Sequence, residues 1–358
     1  MGARVIEAGA LHRFTEELFA ATGLREEDAR LVADCLVEAD LRGLASHGVS
    51  RAAIYLERLR AGLVTARPTM KVTEIAPAMA RLDADNGLGF LGATAGMAEA
   101  VRRAKLCGIG LCFVHHSNHF GMAASYLRQA VDAGMAAFVF TNASRAMPIW
   151  GGREAFLGTS PFAFATPGTD SSPPMLLDMA TSVVARGKIR QAAVQGKPIP
   201  EGWALDPQGR PTTDAQAGYD GLILPLGGPK GSGLSLMMEV MGGVLSGSAF
   251  GGEVGNQYFD KDRPQNVGHC FIAVSPVLAL ETAEAYRERY NQLVARARAC
   301  PRVDEDKPIL MPGEPEAMTE AKRRVSGIPL DKTDIAFLRQ EAVTAGLTLP
   351  DFLREGAP

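Results

Sequence analysis

Apolar residues in the first sixty positions recur at helical spacing. Leu11, Phe14, Leu18 and Phe19 make one stripe; Val32, Cys35, Leu36 and Leu41 make a second, behind the acidic run Glu26-Glu27-Asp28. Such a stripe is the face a helix turns toward a core, and acidic residues favour a helix start. Thr22-Gly23 separates the two helices, and a third is expected over residues 46–60, stopped by Gly62. The texture then changes. Residues 70–83 alternate like a strand and lead into the turn Asp85-Asn86-Gly87. Strands expected at 108–115, 136–141, 162–166, 175–179 and 270–274 alternate with helices at 91–105 and 123–133. Residues 196–221, rich in Gly, Pro, Asp and Thr, read as a long surface loop, and 247–268 as a flexible glycine-rich one. Residues 234–245 read as an apolar helix, and 281–298, 316 onward and 331–345 as more polar ones.

This order predicts an α/β (α+β) chain. An N-terminal helical part over 1–70 is expected to pack with a C-terminal helical part over 276–358, around an α/β unit over 71–275.

The chain has 358 residues, 46% of them hydrophobic, which is ample core material. Its 37 Lys+Arg and 40 Asp+Glu leave a net charge of -3, so there is no broad basic field for nucleic acid or an anionic membrane. The five cysteines are scattered, without a Cys-x-x-Cys pair, and Glu7 interrupts the N-terminal apolar residues. A reduced cytoplasmic protein with no secretory signal and no membrane span is expected.

Four segments could carry chemistry. In Ser46-His47-Gly48-Val49-Ser50-Arg51, followed by Tyr55, a helix would put His47, Arg51 and Tyr55 on one face. That face offers a titratable imidazole, a fork for a carboxylate and a phenol, as a 2-oxo or 2-hydroxy acid requires. The plain alternative is a helix cap and a solvated surface charge. His115-His116-Ser117-Asn118-His119 follows an apolar strand, where α/β enzymes place catalytic groups. Acid/base chemistry by His119, a metal held by His115 and His119, and a structural turn are all open. Gly227 to Gly233, with Pro229, Lys230 and Gly231, leads into the apolar helix and could cradle a phosphate on free N–H groups, or merely connect two elements. Asp178-Met179-Ala180-Thr181-Ser182 ends a strand; Asp178 could orient a histidine or cap a helix, and Thr181 and Ser182 could bond a cofactor. Neither Gly-x-Gly-x-x-Gly after a strand nor a Gly-x-x-x-x-Gly-Lys-Ser/Thr loop occurs.

The ordered series resembles the malate/L-lactate dehydrogenase family of the non-Rossmann type. It comprises Arg42-Gly43 through Ser46-His47-Gly48 and Arg51, then Ser117 to Gly121, Gly158-Thr159-Ser160-Pro161 and Leu177 to Ser182. Gly202 to Asp206, Pro211 to Asp214, Gly227 to Gly233 and Pro312-Gly313-Glu314 complete it. The resemblance implies a homodimer, a mixed β-sheet domain that binds NADH or NADPH, and no metal. It implies that Ser46, His47 and Arg51 meet a small carboxylate substrate, where the supposed helical face adds Tyr55, and that His47 or His119 exchanges the proton. It further implies that Asp178 to Ser182, Pro229 to Gly231 and Pro312 to Glu314 contact the cofactor. Hydride transfer to or from the α carbon of a 2-hydroxy/2-oxo acid is the expected activity. Reduction of a cyclic 2-imino acid (Δ1-piperideine-2-carboxylate or Δ1-pyrroline-2-carboxylate) is the alternative, and a non-catalytic nucleotide- or phosphate-binding protein a remoter one. Ala45 and Ser160 depart from the residue types usual in that family, at positions near the substrate end.

Overall fold

A computed structural model describes residues 4–354 of the chain. The first three residues of the N-terminal stretch read for a signal lie outside the described residues.

Strand β1 (Arg4–Ile6) precedes helices α1 (Ala8–Ala20) and α2 (Glu26–Leu41). Two 3-10 turns, Ala45–His47 and Val49–Arg51, then lead into α3 (Ala52–Arg60). The apolar stripes of α1 and α2 face each other: Leu11, Phe14, Leu18, Phe19, Val32 and Leu36 are all buried in one cluster. That cluster also takes in Ile328, Leu330, Leu338 and Leu353 from the other chain end.

A hairpin of β2 (Lys71–Ala76) and β3 (Met79–Asp83) follows, where the alternation predicts a single strand. Next come α4 (Gly89–Cys107), β4 (Ile109–Ser117), α5 (Ala123–Asp132), β5 (Ala136–Thr141), β6 (Pro161–Thr166) and β7 (Met175–Ala180). After α6 (Arg186–Val194), residues 196–221 are not a bare loop. They hold β8 (Ala204–Leu205), β9 (Pro211–Thr212) and α7 (Ala215–Asp220), and with β10 (Leu222–Ile223) they form a three-stranded sheet. Met147, Leu157, Ile189, Ile199 and Ile223 give it a separate small core. Two-residue strands carry no periodicity to read, so composition alone predicted a loop.

Helix α8 (Pro229–Met238) continues as a π turn over Glu239–Val244. The rest is β11 (Val267–Val274), α9 (Pro276–Leu280), α10 (Ala283–Arg298), α11 (Glu314–Ser326), β12 (Ile328–Leu330) and α12 (Lys332–Ala345). The main sheet runs β2-β3-β4-β11-β5-β6-β7, parallel only between β3 and β4, and β1 pairs with β12. This is a mixed α/β fold. The cysteines are all free, and no helix among the described residues is long and apolar enough to cross a membrane.

Candidate active site

The Ser46-His47-Gly48 segment is shaped by a buried acid. Asp40, near the end of α2, accepts the N–H of Val49 at 2.8 Å. Its carboxylate fills the space beside Gly48, where a Cβ would stand 2.0 Å from Asp40 Oδ1. Only glycine fits there. Burial pushes the Asp40 carboxyl up to about 7. The continuous helix expected over 46–60 is therefore two 3-10 turns before α3, so helical spacing is not what relates His47, Arg51 and Tyr55.

These three residues still converge, with His119 as the fourth member. The His47 and His119 rings lie nearly parallel with centroids 6.1 Å apart, and Tyr55 stacks on His119 at 6.0 Å. Tyr55 Oη meets His119 Nδ1 at 2.6 Å. His119 follows β4 in a loop held from several sides. Asn118 donates to the carbonyls of Asn86 and Gly87, and the His119 N–H donates to Gln265 Oε1 at 3.1 Å. Gly121 has φ 75°, with Phe90 against it, and its N–H donates to His119 Nδ1 at 3.3 Å. A nitrogen that accepts an N–H carries no proton itself, so the neutral ring of His119 bears its proton on Nε2.

Arg51 donates from Nε to the Ser46 carbonyl at 2.6 Å and from Nη1 to Tyr258 Oη. Ser46 Oγ lies 2.9 Å from His47 Nδ1. Burial, and then the Arg51 charge, lowers His47 to about 4. His119 is lowered well below the usual range by burial, then by Arg51 and His47. Both rings are neutral at neutral pH, under a guanidinium that would attract an anion.

Asp178 points elsewhere. It accepts the N–H of Ala124 at 2.9 Å, at the start of α5, and burial raises it to about 6. It caps a helix from a different part of the chain, not the one after its own strand. Beyond it, Thr181 Oγ1 donates to the Ser160 carbonyl at 2.9 Å and meets Ser235 Oγ. Ser182 Oγ donates to the Val184 carbonyl at 2.9 Å. The Leu226 N–H donates to the Thr181 carbonyl at 2.9 Å, which ties the glycine turn before α8 to the end of β7. The N–H groups of Lys230, Gly231 and Ser232 already return to Gly227, Leu226 and Gly228. A cradle of free N–H groups is absent at these three residues; Pro229 has none to give, and the exposed Lys230 supplies the positive charge. At the other end of β7, the Leu176 N–H donates to the Pro312 carbonyl at 2.9 Å. Gly313 packs on Leu176, and Glu314 pairs with Arg298.

The family model for malate/L-lactate dehydrogenase matches residues 6–339. The chain belongs to this family. It is 37% identical over 335 residues to L-sulfolactate dehydrogenase from Methanocaldococcus jannaschii, covering 92% of this chain and 94% of the relative. The solved structure of the sulfolactate dehydrogenase from that organism superposes with a TM-score of 0.90 at 34% identity, over 96% of this chain and 98% of the other. A (2R)-3-sulfolactate dehydrogenase (NADP(+)) from Chromohalobacter salexigens is 40% identical over 258 residues, 72% of this chain and 76% of the relative. The ureidoglycolate dehydrogenase (NAD(+)) of Escherichia coli is 33% identical over 338 residues, 94% and 96% of the two chains. The protein is thus an NAD(P)-dependent dehydrogenase acting on 2-hydroxy acids.

In this dehydrogenase the structure gathers Ser46, His47, Arg51, Tyr55 and His119 into one cluster and leaves Asp178 under α5. His115 turns not to His119 but to His116 and Asp83. Tyr258 and Gln265, which hold Arg51 and His119, were not foreseen. They sit in 247–268, read from its glycines as a flexible loop. Arg58 fixes that loop: though buried on α3, it donates to the carbonyls of Asp260 and Arg263 at 2.8 and 2.9 Å. One buried arginine in an otherwise apolar helix face was the only signal available.

Proposed function

We propose that the enzyme interconverts a small 2-hydroxy acid and its 2-oxo acid, with Arg51 on the carboxylate and the two histidines on the reacting oxygen. The observation that carries the assignment of roles is the Gly121 N–H on His119 Nδ1. It leaves Nε2–H of His119 as a fixed donor to the substrate oxygen, a neutral imidazole that polarises without losing its proton. His47 is the proton exchanger. With Nδ1–H given to Ser46 Oγ, its Nε2 lone pair takes the hydroxyl proton in oxidation and returns it in reduction. His47 is half-buried, so it can trade that proton with solvent.

Arg51 couples binding to this step. A carboxylate on the guanidinium cancels the charge that lowers both histidines, which makes His47 a stronger base once substrate is bound. Asp178 anchors α5, whose Tyr126 donates to the carbonyl of Phe120, the residue after His119.

Met179 to Ser182, Pro229 to Gly231 and Pro312 to Glu314 would hold NADH or NADPH. The support is the hydrogen bonding of the two outer segments to opposite ends of β7. Leu176 and Thr181 are separated by about 17 Å of extended chain, room for an elongated anionic ligand beside Lys230. When bound, the nicotinamide supplies or takes the hydride. A second copy of this chain would cover the exposed apolar row Leu236, Met237, Val240, Val244 and Leu245, 36–51% exposed along α8 and its π turn.

The test is a substrate panel. Oxaloacetate, pyruvate, the 2-oxo acid of sulfolactate and a cyclic 2-imino acid are each offered with NADH and with NADPH, following nicotinamide absorbance. Turnover of a 2-oxo acid is expected in the wild type, with large losses in His47→Ala and His119→Ala. Wild-type rates in both variants would defeat the assignment.

A further inference from the structure

We propose that Asp83, His115 and His116 form a binding site for a divalent transition-metal ion of the zinc and nickel class, apart from the hydride chemistry. The argument begins in the register of the sheet. Asp83 on β3 and His115 on β4 are direct partners in the parallel pair, so their side chains leave the same face. In a regular strand His116 would point to the opposite face. Here it does not. Opposite β11, the register moves from Ser117↔Val267 to Val114↔His269, so two residues of β4 oppose one of β11, which is a bulge at His115 and His116. His116 takes φ 49°, a left-handed conformation uncommon for a residue with a side chain. The result returns the His116 ring to the Asp83 carboxylate and the His115 ring: the imidazole centroids of His115 and His116 are 4.6 Å apart, and His116 Nδ1 is 3.1 Å from Asp83 Oδ1.

The candidate ligand atoms of all three residues lie within 4.8 Å of one another. Zinc–nitrogen and zinc–oxygen bonds are about 2.0–2.2 Å, so an ion between them needs only a slight inward movement. Two imidazoles and one carboxylate suit zinc, nickel and copper rather than magnesium or calcium, and the open positions would take water. An entry path exists, because His116 also lines a cavity of about 510 Å³ with Asn86, Glu253, Arg263 and Gln265. The neighbouring backbone is well anchored: the Ala84 and Asn86 N–H groups donate to the carbonyls of His115 and His116. Two of these lining residues reach the active site, since Asn86 holds Asn118 and Gln265 holds the His119 N–H.

The experiment is zinc chloride titration of chelator-dialysed full-length protein by calorimetry, alongside Asp83→Asn, His115→Ala and His116→Asn. Asparagine tolerates the left-handed backbone, so the last variant keeps the bulge. The wild type is expected to bind one ion per chain and to gain thermal stability with zinc. Each variant should bind on the order of 100-fold more weakly. As a second reading, copper bound to the wild type should show spin coupling to two imidazole nitrogens, falling to one in His116→Asn. Absence of zinc binding at micromolar concentration, or wild-type affinity in all three variants, would overturn the proposal.

Discussion

Tyr55 Oη and His119 Nδ1 are 2.6 Å apart, and the two residues come from elements that the main sheet and the helical layer contribute separately. The phenol is buried, and burial raises it far above the ordinary tyrosine range, so it acts as a neutral O–H donor. With Gly121 it holds the ring by Nδ1, and in the proposed mechanism this leaves Nε2–H for the substrate oxygen. Tyr55→Phe keeps the packing on Phe90 and removes only this bond. A lost neutral hydrogen bond is worth about 1 kcal/mol, so kcat should fall roughly fivefold with KM little changed. Steady-state kinetics check this, and a change confined to KM would mean that Tyr55 contacts the substrate instead.

Arg51 has its Nε on the Ser46 carbonyl and Nη1 on Tyr258. A lysine cannot reproduce both anchors and still present a fork to a carboxylate. Arg51→Lys should raise KM on the order of tenfold or more, because charge-assisted hydrogen bonds are worth about 1.5–3 kcal/mol. The KM for the cofactor should stay within about twofold. An unchanged substrate KM would direct the carboxylate to another cation.

These two residues also show what the sequence could disclose. His47, Arg51 and Tyr55 were grouped by a supposed helical period, yet the chain reaches the same grouping through two 3-10 turns bent around Asp40. The stripes on α1 and α2 and the apolar strands of the main sheet were legible because each buries one face over many residues. The three-stranded sheet around β8 was not, being made of two-residue strands. Tyr258 and Gln265 were hidden for another reason. Their loop is ordered by Arg58, about 200 positions away in sequence, and no local pattern records such a contact. Asp178 offered a carboxylate at a strand end, and only the fold could say that α5 claims it.

The pH dependence should separate free from bound enzyme. For His47 to act as a base it must be neutral, and in the free enzyme burial and Arg51 lower it to about 4. The acid limb of kcat/KM for hydroxy-acid oxidation should therefore lie well below the ordinary histidine value of about 6.5. Once a carboxylate sits on Arg51, the depression is partly relieved, so the limb of kcat should move to higher pH. Profiles of both parameters check this, and coincident limbs near the ordinary value would remove His47 from the proton step.

Asp40 gives a stability counterpart with its sign fixed by burial. Its folded-state value of about 7 lies above the ordinary aspartate value of 3.8, so the folded protein holds a proton that the unfolded chain releases. That contribution is complete below about 4 and is lost as pH rises through about 7. Removing the ionisation should flatten this part of the profile. Asp40→Asn retains an oxygen for the Val49 N–H and the space beside Gly48, but it does not titrate. From pH 4 to 8 the wild type should lose up to about 4 kcal/mol that the variant keeps. Thermal unfolding of both proteins across that range measures the difference. Parallel curves would mean that Asp40 is ionised throughout, held by the Val49 N–H and Arg323 against the pull of burial.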